Sequence, residues 1–280
     1  MGWTAMTIEI GGPLVLVGCG KMGGAMLAGW LARGLDPRLI RVQEPAPPPE
    51  IAALLSKHGI AAEAAVTSLP APPAVFVVAV KPQAMDAVFP PVAKLAGPET
   101  LVLSIAAGKP IASFERHLAP GVAVVRAMPN TPAAVGRGIT VCCPNARVTA
   151  AQRTICEELL AAVGEVGWID DERLMDAVTA VSGSGPAYVF LMAEALEKAA
   201  VAEGLAQPLA RRLARATVAG SGELMRLSEL DAAELRRNVT SPGGTTAAAL
   251  SVLMADGGLE DLLGRAVAAA AARGRELGKS

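Results

Sequence analysis

The stretch that most constrains this chain lies near its start. An apolar run, Leu14-Val15-Leu16-Val17, passes directly into Gly18-Cys19-Gly20-Lys21-Met22-Gly23, and Lys21–Arg33 then carries Met22, Ala25, Met26, Gly29 and Trp30 at helical spacing. A strand, a turn too tight for side chains and a helix make the opening unit of a parallel α/β sheet. Further strands are expected over Leu39–Gln43, Val75–Val80, Leu101–Ile105 and Val122–Val125, with Ile139–Cys142 as an additional candidate and a helix over Glu50–His58. The unbroken run VFVVAV at Val75–Val80 suits a strand buried on both faces. Such alternation predicts a mostly parallel sheet with helices on both sides. Prolines at 45, 47, 48 and 49 and at 70, 72 and 73 predict stiff turns.

The pattern changes near Asp170. Beyond it no β-like run occurs, and helices are expected over Pro186–Ala202, Leu209–Leu227, Ala232–Asn238, Thr245–Met254 and Leu259–Leu277. With 280 residues the chain has room for two domains, expected at 1–169 (α/β) and 170–280 (all-α). Alanine supplies much of the 52% hydrophobic content and aromatics are only 3%, which leans helical rather than membrane-spanning. The apolar stretches are too short to cross a bilayer, and Met1–Gly12 lacks the form of a signal peptide, with Met6 as an alternative start. A cytoplasmic protein is expected. The net charge of −1 offers no electrostatic case for nucleic acid or an anionic membrane. Cys19, Cys142, Cys143 and Cys156 show no C-x-x-C spacing, and the two histidines, His58 and His117, stand in ordinary contexts. No metal site is expected, and the chemistry is expected to work without metal or histidine.

The glycine turn carries the first functional reading. Gly18 permits the turn, Gly20 lets backbone approach a pyrophosphate, and Gly23 lets helix and strand pack closely. The helix start at Lys21 and Met22 then offers free N–H groups to phosphates. Glu44, about 20 residues beyond Gly23, ends the second strand where the adenine ribose is read. A carboxylate there accepts the ribose hydroxyls and repels a 2′-phosphate, which leans toward NADH over NADPH; Arg38 and Arg41 nearby could blunt that repulsion, and a simple turn acid is the alternative. Ligands in such sheets bind outside the carboxyl ends of strands. That places Ala79, Val80, Lys81 and Pro82 after one strand, and Ala106 and Ala107 after the next, beside the cofactor, although Lys81 could equally be a surface lysine. Asn130, in the turn Met128-Pro129-Asn130-Thr131-Pro132, could face the nicotinamide or belong to an ordinary proline turn.

In the second half, Val239-Thr240-Ser241-Pro242-Gly243-Gly244-Thr245-Thr246 joins two helices. The N–H groups of Gly244, Thr245 and Thr246 would be unpaired at the helix start. With the hydroxyls of Ser241, Thr245 and Thr246 they form a cradle for a small carboxylate; a serine- or threonine-capped helix is the alternative. The segment Ser182-Gly183-Ser184-Gly185-Pro186-Ala187-Tyr188 reads as a helix start.

The segments GCGKMGGAM, AVKPQ, SIAAG, RAMPNTPAAVG, SGSGPAYVF and VTSPGGTTAAAL, in this order, resemble the pyrroline-5-carboxylate reductases from about Leu14 to Leu277. The resemblance implies a Rossmann-type domain followed by a helical dimerisation domain, and reduction of Δ1-pyrroline-5-carboxylate to L-proline with NADH or NADPH. It implies a homodimer or a larger assembly of dimers. It implies that Thr246 contacts the imine nitrogen, that Ser241, Gly244 and Thr245 hold the carboxylate, that Asn238 approaches the cofactor and that Glu172 lies at the proline site. Two positions depart from the pattern: many relatives carry serine, asparagine or aspartate in place of Glu44, and some carry asparagine in place of Val66. A protonated cyclic imine is already electrophilic, so positioning can supply most of the rate. Two other readings stand beside this one: a β-hydroxyacid dehydrogenase-like oxidoreductase, for which the Ser241–Thr246 loop lacks a lysine acid–base, and a non-catalytic dinucleotide-binding regulator.

Overall fold

The computed structural model describes residues 8–278; the alternative start at Met6 lies outside them. The chain divides into two compact units, one running to Gly183 and taking in the chain again from Ala271, the other spanning Ser184–Ala270.

The first unit holds an eight-stranded sheet: β1 (Leu14–Val17), β2 (Ile40–Gln43), β3 (Ala62–Glu63), β4 (Val75–Val78), β5 (Leu101–Ser104), β6 (Ala123–Met128), β7 (Gly138–Pro144) and β8 (Gly164–Trp168). Their spatial order is β3-β2-β1-β4-β5-β6-β7-β8. Every pairing is parallel except β6 with β7. The expected mostly parallel sheet is therefore present.

Its helices are α1 (Lys21–Ala32), α2 (Pro49–Lys57), α3 (Met85–Ala93), α4 (Ile111–Glu115), α5 (Ala150–Ala161) and α6 (Met175–Val178). The two-residue repeat of a strand sends alternate side chains to opposite faces. Leu14, Leu16, Val75, Val77, Leu101 and Leu103 pack with Met26, Leu27 and Trp30 of α1, Ile51 and Leu55 of α2, and Leu159 and Leu160 of α5. Val15, Val17, Phe76, Val78, Val102 and Val124 pack on the other face with Met85 and Phe89 of α3, Phe114 of α4 and Met175 of α6. That is why Val75–Val80 reads as apolar without alternation: both sides of the strand are core. Trp30 satisfies its buried indole N–H on the carbonyl of Leu159 at 2.8 Å, tying α1 to α5.

Besides the short β3, α4 and α6, three longer elements had no counterpart in the reading above. α3 forms although Pro90 and Pro91 lie inside it; its buried Met85, Phe89 and Val92 outweigh local propensity. α5 opens with a capping box between Thr149 and Gln152. β8 is glycine-rich and pairs along its length with β7.

The second unit is helical: α7 (Gly185–Ala202), α8 (Gln207–Leu227), α9 (Ala232–Asn238), α10 (Thr245–Leu253) and most of α11 (Leu259–Leu277). The run to α7 is helical earlier than expected, because a π-helical turn over Thr179–Gly183 follows α6 directly. α7 and α8 pack on each other, aided by an Arg211–Glu197 ion pair. Only Ala210 and Ala214 are buried in this unit, while Phe190, Leu191, Leu224, Met225, Leu227, Val252 and Met254 are exposed.

Candidate active site

At the end of β1 the chain turns at Gly18, whose φ is +92°. A Cβ there would stand 2.8 Å from the Ala79 carbonyl and 2.9 Å from the Val80 nitrogen, so this position admits only glycine. Gly23 is equally confined, because a Cβ would strike the Gly18 carbonyl. Gly20 is different: a Cβ there would meet nothing within 4 Å. Protein packing does not require glycine at that point, but a ligand lying on the turn would. Gly20 also caps α1, with no side chain satisfying the helix start and no acidic residue in its first turn. The first N–H groups of this helix, from Lys21 onward, suit an anion.

Glu44 follows β2 and reaches back over this turn. Its Oε2 accepts the Cys19 N–H at 2.9 Å and its Oε1 accepts the Ala46 N–H at 3.2 Å. Burial and the neighbouring Glu44 charge push the Cys19 thiol up to about 12, so it stays protonated. Arg38 lies at the opposite, amino end of β2, where its guanidinium is held by Asp36 at 2.6–3.0 Å. Beside Glu44, the Gln43 side chain accepts the Val66 N–H at 2.8 Å. Position 66 thus contributes backbone here, and its side chain is buried.

The neighbouring strands end along the same edge. Ala79 and Val80 follow β4 and are half-buried, then Lys81 is exposed and Pro82 opens a short 3₁₀ turn. After β5, the Ser104 hydroxyl accepts the Ala106 N–H at 3.2 Å, with Ala106 buried and Ala107 exposed. After β6, the Asn130 carbonyl oxygen accepts the Ile139 N–H at 2.9 Å. That bond to its Oδ1 holds the Asn130 side chain. Gly18, Gly20, Lys21, Met22, Gly23, Glu44, Ala79, Val80, Lys81, Pro82, Ala106, Ala107 and Asn130 are thus gathered at one end of the sheet, at or following the carboxyl ends of β1, β2, β4, β5 and β6.

Glu172 stands in a 3₁₀ turn after β8. Its Oε1 accepts from the Ile111 N–H at 2.8 Å and from Arg126 Nη1 at 3.0 Å. Arg126 was not among the residues singled out from the sequence. Its signal was a charge inside the apolar strand run Val124-Val125-Arg126-Ala127-Met128, where a buried arginine must have a partner.

In the second unit, Asn238 ends α9 and the chain turns through Ser241-Pro242-Gly243-Gly244 into α10. Gly243 has φ +70°, and the Gly244 N–H closes the turn on the Ser241 carbonyl at 3.0 Å. The cap of α10 is Gly244, with no side-chain hydrogen bond. Of the three N–H groups expected to be unpaired, that of Gly244 is therefore spent on the turn, while those of Thr245 and Thr246 lack a side-chain cap. The alternative of a serine- or threonine-capped helix is not the arrangement found.

Known proteins resemble both parts of the chain. Residues 172–277 match the family model described as pyrroline-5-carboxylate reductase dimerisation, and residues 13–108 match one described as NADP oxidoreductase, coenzyme F420-dependent. The chain is 42% identical over 264 residues to the pyrroline-5-carboxylate reductase of Pseudomonas aeruginosa, covering 94% of this chain and 96% of that one. A solved pyrroline-5-carboxylate reductase from Coxiella burnetii superposes with a TM-score of 0.88 at 34% identity, covering 95% of this chain and 98% of the other. A pyrroline carboxylate reductase from Plasmodium falciparum, solved with NADP bound, superposes with a TM-score of 0.80 at 28% identity over 96% and 99% of the two chains. By these measures the chain belongs to the pyrroline-5-carboxylate reductase family.

Proposed function

We propose that the protein reduces Δ1-pyrroline-5-carboxylate to L-proline by hydride transfer from a nicotinamide dinucleotide. The observation that carries this reading is the 42% identity to a pyrroline-5-carboxylate reductase across nearly the whole chain. The open space at Gly20 and the uncapped start of α10 support it independently, as two anion-receptive helix N-termini. Residues 1–169 serve the dinucleotide and residues 170–280 the imine and self-association.

The dinucleotide, when bound, supplies the hydride. Gly18, Gly20, Lys21, Met22 and Gly23 receive its pyrophosphate, and Ala79, Val80, Lys81, Pro82, Ala106, Ala107, Asn130 and Asn238 flank it. Glu44 reads the adenine ribose. Its carboxylate is held by two backbone N–H groups, and Arg38, one of the two cations that could blunt its repulsion of a 2′-phosphate, is engaged by Asp36 at the other end of the strand. This supports NADH over NADPH.

The imine carboxylate sits on the N–H groups of Thr245 and Thr246 with the Ser241 hydroxyl, and Gly244 leaves that helix start open as its cap. The Thr246 hydroxyl orients the ring nitrogen, which gains an electron pair as hydride reaches the adjacent carbon. The protonated imine needs no further acid, so the protein acts by orientation and exclusion of water.

The exposed apolar side chains of α7, α8 and α10 support self-association, as a homodimer or an assembly of dimers. Among the described residues no helix is long and apolar enough to cross a membrane. We place the protein in the cytoplasm.

The test is spectrophotometric oxidation of NADH and NADPH on addition of pyrroline-5-carboxylate. Oxidation with the imine supports the reading. Oxidation only with an oxo acid, reduced to its hydroxy acid, would favour a hydroxyacid dehydrogenase. Cofactor binding without turnover would favour a regulator.

A further inference from the structure

Glu172, which the resemblance puts at the proline site, has a geometry that such a place does not account for. The sheet register sets Ser104 of β5, Arg126 of β6 and Cys143 of β7 side by side. Arg126 is 8% exposed, and a charge so buried requires a partner. Its partner is the Glu172 carboxylate, and the oxygen that receives the guanidinium also receives the N–H of Ile111. Ile111 is the first residue of α4, whose cap residue Pro110 supplies no side-chain hydrogen bond. One carboxylate oxygen therefore neutralises a buried cation and completes a helix start.

These bonds close a loop. Between β5 and α4 run the six residues from Ile105 to Pro110. The near end is tied where the Ser104 hydroxyl accepts the Ala106 N–H, and the far end where Glu172 accepts the Ile111 N–H. Lys109, with a side chain 18% exposed, stands 3.9 Å from Asp86 of α3 and braces the outer side. The loop so held presents Ala106 and Ala107, the small residues proposed to flank the cofactor.

We propose that Arg126 and Glu172 form a positioning ion pair that fixes the Ile105–Pro110 loop for the dinucleotide, Glu172 acting through this loop and not on the imine. The proposal rests on the reading of that loop as a cofactor wall. Neither residue is a catalytic residue in this scheme.

The experiment measures NADH dissociation constants by fluorescence titration of the full-length protein, together with kcat and the imine KM at saturating NADH. The variants are Glu172→Gln, Arg126→Met, Arg126→Lys and the double variant Glu172→Gln/Arg126→Met. Each of the first two is expected to weaken NADH binding about tenfold, the equivalent of about 1.4 kcal/mol, with the imine KM changed by less than about twofold. The double variant is expected to bind NADH no worse than the weaker single variant, because both remove the same device. Arg126→Lys is expected to recover most of the affinity, since only one N–H of the fork reaches Glu172.

A raised imine KM with unchanged NADH binding in Glu172→Gln would place Glu172 at the substrate and overturn the proposal. Losses that multiply in the double variant, or folded variants with neither parameter changed, would overturn it too. If Arg126→Met does not fold, Glu172→Gln and Arg126→Lys still decide, as both keep the shape of the site. The NADH titration also stands apart from turnover: wild-type protein that binds NADH but leaves the imine untouched would remove the reductase reading while still reporting on the ion pair.

Discussion

Glu44 accepts the backbone N–H of Cys19 at 2.9 Å, so the acid that ends the second strand is locked to the middle of the glycine turn. The two residues are 25 positions apart and meet because β1 and β2 are paired in register, Val17 beside Gln43. The bond fixes a negative charge at the edge of the surface that the adenine ribose would cover.

Replacing Glu44 by serine removes that charge and keeps a hydroxyl. The ratio of kcat/KM with NADPH to that with NADH is expected to rise by about tenfold or more, about 1.4 kcal/mol of lost repulsion. Steady-state rates with both cofactors give the ratio, and an unchanged ratio would remove Glu44 from cofactor choice.

Two glycines of the same turn are expected to respond differently. Gly20→Ala meets no protein atom, so its melting temperature should stay near wild type while KM for the dinucleotide rises about tenfold or more. Gly18→Ala forces a side chain onto φ +92° and against the Ala79 carbonyl, and should lose about 1–3 kcal/mol of stability. Thermal melts beside cofactor titrations separate the two; equal losses of stability would mean that Gly20 serves packing.

Thr246→Ala is expected to lower turnover about tenfold or more, the size of one productive hydrogen bond made in the transition state. Binding of NADH should stay unchanged. Wild-type kcat and KM for the imine would take Thr246 out of the mechanism.

Stability should fall in alkali through the buried thiols. The ordinary thiol value is 9.0, and burial, followed by the charge of Glu157, pushes Cys156 up to about 12. Between those values the unfolded chain has released its proton while the folded chain keeps it, so rising pH favours unfolding. The slope is about 1.4 kcal/mol per pH unit for one such group. Urea unfolding across this range should show a shallower decline in Cys156→Ala than in the wild type. An identical slope would mean that Cys156 does not contribute.

The parts of this molecule most readily read from its sequence are those where one local pattern settles the answer. Val75–Val80 is core on both faces, and Gly18–Gly23 has backbone geometry that few residues tolerate. α3 was hidden because Pro90 and Pro91 argue against a helix, and only the tertiary burial of Phe89 and its neighbours overrides them. β8, Gly164–Trp168, carries glycines and a glutamate, and it exists because β7 offers a complete edge. The Arg126–Glu172 pair joins positions 46 residues apart, which no spacing rule reaches. What the sequence did show there was an arginine directly after the apolar run Val122–Val125, which the strand takes in.

Only two alanines are buried between Ser184 and Ala270. A stretch of chain with so little interior has its free energy of folding decided by what covers it. During synthesis the sheet can close as soon as its strands have emerged, whereas these helices gain their full stability when a second copy arrives. The stability of this helical unit is then expected to rise with protein concentration.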